Sequence, residues 1–218
     1  MAAFMAFAVL PATASATNDP DLTHPTGTLA KTGKNNIRAK NVGVLLMTDA
    51  NTGTLVECTT AHMTGDLEKN TGSLVEGSIR TATFSGTGPT YQGEPECTST
   101  NLGGLTVTPS TATNGLPWCL RSTNTMATDE FQVRGNECGA AERPIRFAFD
   151  TTLFVTCVYE RTTPIPGTFK THPEDAVLSV SHVEFKRVSG FGCPEQGFLD
   201  MSFTLETNVA GTNPLYVS

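Results

Sequence analysis

Six cysteines, Cys58, Cys97, Cys119, Cys138, Cys157 and Cys193, constrain this chain more than any other feature. No two stand close enough for a Cys-x-x-Cys metal or redox clip. Their number is even, and each lies inside or beside a strand-like run. That is the arrangement of three disulfides, and disulfides persist in oxidising compartments. Of the many pairings open to six cysteines, the simplest joins neighbours: Cys58–Cys97, Cys119–Cys138 and Cys157–Cys193. Each such bond closes a loop of some tens of residues and contributes roughly 3–4 kcal/mol through loop-closure entropy. The expectation is structural staples in an exported protein.

Composition agrees with export. Charged residues make up 16% of the 218, against roughly 25% in ordinary soluble domains. Thr, Ser, Asn and Gly take their place. Threonine is β-branched, so extension costs it little, and its hydroxyl keeps an outer sheet face wet. The net charge of −7 argues against nucleic acid and against anionic lipid, because no basic cluster exists to neutralise phosphates.

The N-terminus carries a short apolar run, Ala2 to Leu10, ended by Pro11. Ala14-Ser15-Ala16 then supplies a small-x-small cleavage pattern. Residues 1–16 therefore read as a secretory signal. The run is too short to span a bilayer as a helix. A basic n-region is missing, since the first lysine is Lys31. A retained apolar strand is the alternative, with Phe4 and Phe7 as its largest side chains and the candidates for assembly. The absence of any Asn-x-Ser/Thr sequon points to a bacterial source.

Residues 17–218 read as one β domain. Helical spacing does not occur outside the N-terminal run, whereas period-two alternation is frequent. Ile37 to Thr48, the turn Asp49 to Gly53 and Thr54 to Thr60 read as strand, turn, strand. His62 lies in a strand-like segment. Leu74 to Ser85 is a long strand, and Leu105 to Val107 a short one. Trp118 to Arg121 pairs with Glu130 to Arg134. Ile145, Phe147 and Phe149 alternate, and Leu153 to Tyr159 reads as buried on both sides. Across Ala176 to Val188 the apolar parity shifts between Val180 and Val183, which predicts a β-bulge near Ser181-His182. Met201, Phe203 and Leu205 alternate again. Gly86 to Glu96 and Pro109 to Pro117 read as loops. About ten strands predict an all-β fold, a disulfide-stapled β-sandwich of immunoglobulin-like or jelly-roll-like form.

No nucleophile elbow, zinc helix or phosphate loop occurs, although Ser85-Gly86-Thr87-Gly88 comes near the first. The four histidines, His24, His62, His172 and His182, share no spacing that would place them in one site. Asp49, Asn51 and Gly53 resemble the start of a calcium loop, but the distal Glu is missing, so a hairpin turn is expected. Glu174-Asp175 reads as a solvated loop. The single tryptophan, Trp118, stands beside Cys119 and is expected in the core, not on a ligand-binding surface. The reading is of a non-enzymatic protein without catalytic residues, metal or cofactor.

Leu105-Thr-Val-Thr-Pro109, followed by Gly115-Leu-Pro-Trp118 and a strand, resembles bacterial secreted proteins related to PraB, often labelled activators of alkane oxidation. The resemblance implies a cell-surface or matrix protein with a Thr/Ser-rich β body and carries no catalytic residues. Two functions follow as expectations. The first is a secreted structural protein that self-associates or meets cell-surface components, assembling into a filament when one subunit's apolar strand completes a neighbour's sheet. The alternative is an extracellular binding module or hydrolase for a polymer such as a polysaccharide, which needs exposed aromatics.

Overall fold

The computed structural model describes residues 22–25, 27–28, 37–51, 53–71, 74–88, 90–91, 94–99, 116–123, 130–150, 155–170, 175–209 and 212–217. Seventeen strands run through them. In chain order the first nine are β1 (Leu22–His24), β2 (Gly27–Thr28), β3 (Ile37–Asn41), β4 (Leu45–Asp49), β5 (Gly53–Cys58), β6 (Thr60–Asn70), β7 (Leu74–Ser85), β8 (Thr90–Tyr91) and β9 (Glu94–Pro95). The rest are β10 (Trp118–Thr123), β11 (Glu130–Gly135), β12 (Ile145–Asp150), β13 (Thr156–Arg161), β14 (Ile165–Phe169), β15 (Val177–Ser189), β16 (Gln196–Thr207) and β17 (Tyr216–Val217). The described residues contain no helix.

Eight strands close a barrel. β3, β6, β7, β10, β11, β14, β15 and β16 pair in that order, each antiparallel to the next, and β16 returns to β3. The ring follows chain order, so it is an up-and-down meander. Three hairpins interrupt it: β4–β5, β8–β9 and β12–β13. The first and last of these join an outer sheet of order β12-β13-β15-β16-β4-β5. The expected sandwich is thereby corrected to a closed barrel that carries an outer sheet. Both architectures bury one face of each strand and expose the other, and the same turns serve both. Pairing of β16, the last ring strand, with β3, the first, closes the ring, and local alternation does not encode that.

β15 and β16 belong to both layers because they are 13 and 12 residues long. The lower part of β15 pairs with β14 through Leu178 and Ser179, and the upper part pairs with β13 through Lys186 to Ser189. The predicted bulge lies between these two regions. Val180 faces Met201 and Val183 faces Leu199, so Ser181 and His182 together oppose the single residue Asp200 and β15 carries one extra residue. His182 adopts a φ of 52°, and its backbone N–H donates to Asp200 Oδ1 at 2.8 Å. Ser181 Oγ donates to the same oxygen at 3.0 Å. One carboxylate thus satisfies the bulge, and Val183 and Phe185 continue the buried face begun by Leu178 and Val180.

Other sequence readings were coarser than the structure. The run from Ile37 to Thr48 is two strands, divided at Val42-Gly43-Val44, where Gly43 takes a φ of 76°. The run from Leu153 to Tyr159 contributes only its last residues to β13, in which Cys157 and Tyr159 are buried and Val158 half-buried. β14 was not anticipated, because it holds Pro166 and Gly167. It pairs with β11 so that Phe131 faces Gly167. The Phe131 ring lies where a Cβ of residue 167 would stand, so only glycine fits. Leu105 to Val107 lies outside the described residues, as do residues 1–16 with Phe4 and Phe7.

Apolar side chains pointing inward from the ring form one continuous core with the underside of the outer sheet. At the upper end of the ring, Phe147 packs edge-on against Trp118 and Phe185, with centroids 5.5 and 5.1 Å away. The lower end is covered by a small sheet, β17-β1-β2. Its Leu22 N–H donates to Asn70 Oδ1 at 2.9 Å, and Asn70 Nδ2 donates to Leu22 O at 2.8 Å. The Ala176 N–H donates to Leu215 O at 2.8 Å. These bonds tie the cover to the β6–β7 turn and to the start of β15.

Candidate functional site

The three disulfides join Cys58–Cys97, Cys119–Cys138 and Cys157–Cys193, the neighbour pairing read from the sequence. Their placement follows a rule. None links two ring strands. Cys58–Cys97 holds the segment after β9 onto β5, where Glu57 and Thr98 also exchange backbone bonds. Cys119–Cys138 clamps the loop before β12 onto β10. Cys157–Cys193 ties β13 to the tip of the β15–β16 hairpin. The enclosed loops of 39, 19 and 36 residues each correspond to roughly 3–4 kcal/mol. The staples therefore secure the insertions.

Inside the ring lies a cavity of about 110 Å³. Ile37, Val75, Leu120, Val133, Leu178 and Met201 are among its walls. Trp118, 2% exposed, borders it above. Leu22 and Val217, from the small sheet, border it below. Ser122 also lines it, but its hydroxyl donates to Glu130 O at 2.8 Å. Gly65 and Gly77 complete the wall. At Gly65 the Ser78 carbonyl oxygen stands where a Cβ would go, and at Gly77 the Asp66 carbonyl oxygen would lie 3.0 Å from it. The partner strand thus excludes a side chain at Gly65 and crowds one at Gly77. At roughly 24 cal/mol per Å³, an empty space of this size lowers stability by about 2–3 kcal/mol relative to a filled core.

Charge is arranged on the outside of the same wall. Glu76, buried, takes Lys69 Nζ at 2.8 Å and lies 3.3 Å from Arg121 Nε. Arg80 pairs with Asp66 at 3.0 Å and with Glu137 of the stapled loop. Those hydrogen bonds, Glu137 first and then Asp66, raise the Arg80 pKa above its ordinary value. Arg134 meets Glu142 at 2.8 Å. Glu96 differs from these acids: it is buried beside the Cys58–Cys97 bridge, and among the described residues its carboxylate has no hydrogen-bond partner. Desolvation pushes its pKa up. Burial likewise raises that of Tyr159, whose hydroxyl donates to Pro194 O at 2.8 Å.

The remaining candidates do not converge. His24 lies in the small sheet and His62 on β6. His182, at the bulge, stacks on Phe198 with centroids 4.4 Å apart. His172 and Glu174 lie outside the described residues. Asp49 sits at the β4–β5 hairpin, where its Oδ2 accepts from Asn51 N–H at 3.1 Å and Gly53 takes a φ of 87°. This is the geometry of a turn. Trp118 is in the core as expected, but on the opposite strand face from Cys119, so it packs on Phe147 and not on the bridge. Among the described residues no three His, Cys, Asp or Glu side chains gather as a metal site, and no helix is long and apolar enough to cross a membrane. The cavity itself escaped sequence reading. The inward glycines and Ala39 were its only signals, and both read locally as weak strand positions.

Fold and site together define a class: a closed antiparallel barrel with an apolar interior and disulfide-stapled insertions. Comparison of the chain with known protein families, with curated proteins and with solved structures finds no match.

Proposed function

We propose that this is an exported, non-enzymatic protein that serves as a durable structural or cell-surface unit. The observation that carries the reading is the staple map, in which every disulfide secures an inserted segment and none links two strands of the closed barrel. Such bonds form outside the reducing cytoplasm and resist local opening there. The charged side chains support it: on the outer wall they are engaged in ion pairs with one another.

Assembly by strand donation belongs to the same proposal, with a changed acceptor. A complete ring offers no vacancy, so a donor strand would add to the edge of the outer sheet. Among the described residues β12 has β13 on one side and no strand on the other. β5 is partly covered by the Glu57–Thr98 bridge. The donor carrying Phe4 and Phe7 would add beside β12. The polymer-binding alternative is less favoured, because Phe191 is the one exposed phenylalanine among the described residues, and a sugar platform needs several aromatics.

The test is N-terminal sequencing and non-reducing peptide mapping of protein recovered outside the cell, with electron microscopy of the same sample. Three intact bonds in extracellular protein are expected. Free thiols, or retention in the cytoplasm, would overturn the reading. Replacing Phe4 and Phe7 by Asp should abolish filaments and leave the barrel folded. A mature start at Thr17 would remove that donor altogether.

A further inference from the structure

We propose that the apolar barrel interior is a binding site for one small, uncharged, apolar molecule of single-ring size. This goes beyond the structural reading and does not depend on assembly. Size comes first. The cavity of about 110 Å³ is of the same order as an engineered apolar cavity of about 150 Å³ that stays dry and takes benzene or xenon. A barrel of eight strands is at the width where side chains either fill the interior or leave room for one small ligand.

The chemistry of the wall selects the ligand. Ordered water needs two or more polar partners, and the Ser122 hydroxyl is already committed to the Glu130 carbonyl. Asp66 borders the space but its carboxylate is engaged by Arg80, so a carboxylate or ammonium head would be buried against Val75, Leu120 and Val133 without a free counter-charge, which is strongly unfavourable. The ligand is therefore neutral throughout and lacks a head group. The space is also built into the backbone. A partner-strand carbonyl blocks a side chain at Gly65 and another crowds one at Gly77, so neither position sends a side chain into the space. Entry runs past the small sheet, where β1 meets β17 and β2 over two residue pairs each. The Asn70–Leu22 bonds hold that cover in place.

Two reporters are native to the chain. Trp118 is its only tryptophan and borders the cavity. Met63 and Met201 line it, whereas Met47 is buried in the outer sheet. With the oxidised full chain, iodobenzene should quench Trp118 saturably at one molecule per chain, and aqueous iodide should not. Benzene should shift the Met63 and Met201 methyl resonances and leave Met47 in place. Ala39→Leu places an isobutyl group in the space and should weaken both probes by at least about tenfold. Asn70→Ala should speed exchange of benzene while leaving its affinity within about twofold. Absence of saturation, an equal shift at Met47, or unchanged affinity in folded Ala39→Leu protein would overturn the site. Decanoate binding as tightly as benzene would overturn the assignment of a neutral ligand.

Discussion

The ring and the outer sheet bury similar residues and are held together differently. Every ring strand has a hydrogen-bonded neighbour on both sides, so the ring has no edge to fray. The outer sheet ends at β12 and β5, and β4, β5, β12 and β13 within it are insertions between ring strands. The three disulfides fall on that second region: on β5, on the loop before β12, and on β13 with the hairpin tip. Closure satisfies the backbone of one region, and covalent bonds hold the other. Stabilisation is thus placed where the fold would otherwise open first.

The strongest way to break this comparison is at the joint. Phe185 is fully buried and touches Phe147 across the two regions. Phe185→Ala should lower unfolding free energy by about 3–5 kcal/mol, seen as a single cooperative shift in denaturant. Two separated transitions would mean that the regions fold independently. Next in size is Cys157→Ser with Cys193→Ser, with an expected loss of about 3–4 kcal/mol. Hydrogen exchange should accelerate in β12, β13 and the hairpin tip while β6 and β7 keep their protection. Equal loss in the ring would refute the division.

Smaller effects sharpen the picture within each region. Gly167→Ala drives a methyl into the Phe131 ring, so a loss of about 1–3 kcal/mol is expected without any change at the disulfides. Ala39→Leu should raise stability by about 1–2 kcal/mol, because it partly fills the cavity. A destabilised variant would show that the space is already occupied by packing.

Glu96→Gln should have the smallest effect, a gain of about 1 kcal/mol near neutral pH. The sign follows from the raised carboxyl pKa. Above that folded value the buried charge destabilises the fold. As pH falls through it the group protonates, and below the ordinary glutamate range the wild type loses its disadvantage. Thermal melts of both proteins should therefore converge in acid and diverge towards neutral pH. A constant difference across pH would remove Glu96 from the account.

Much of the strand layout was legible from local chemistry. Leu74–Ser85 matches β7 residue for residue, and the parity shift between Val180 and Val183 located the bulge. β6 was only faintly visible around His62. Its register slips twice, at Thr64/Gly65 and Leu67/Lys69, and each slip resets the alternation on which the reading depends. β14 was hidden by Pro166 and Gly167, which are strand breakers in isolation. Its pairing accommodates them, with Pro166 opposite Gln132 and Gly167 under Phe131.

What the chain determined by itself is short-range: which residues extend, which face of each strand is apolar, where it turns, and which cysteines are near enough in sequence to meet. These depend on β-branching, alternation and loop length, all readable within a few tens of residues. The tertiary structure alone decided that the strands curl into a ring instead of forming two facing sheets. It also decided that a space remains within the ring and that the staples fall outside it. The reason is geometric. An apolar strand face is satisfied equally by a second sheet or by the far side of its own barrel, and long-range pairing of β16 with β3 selects between them.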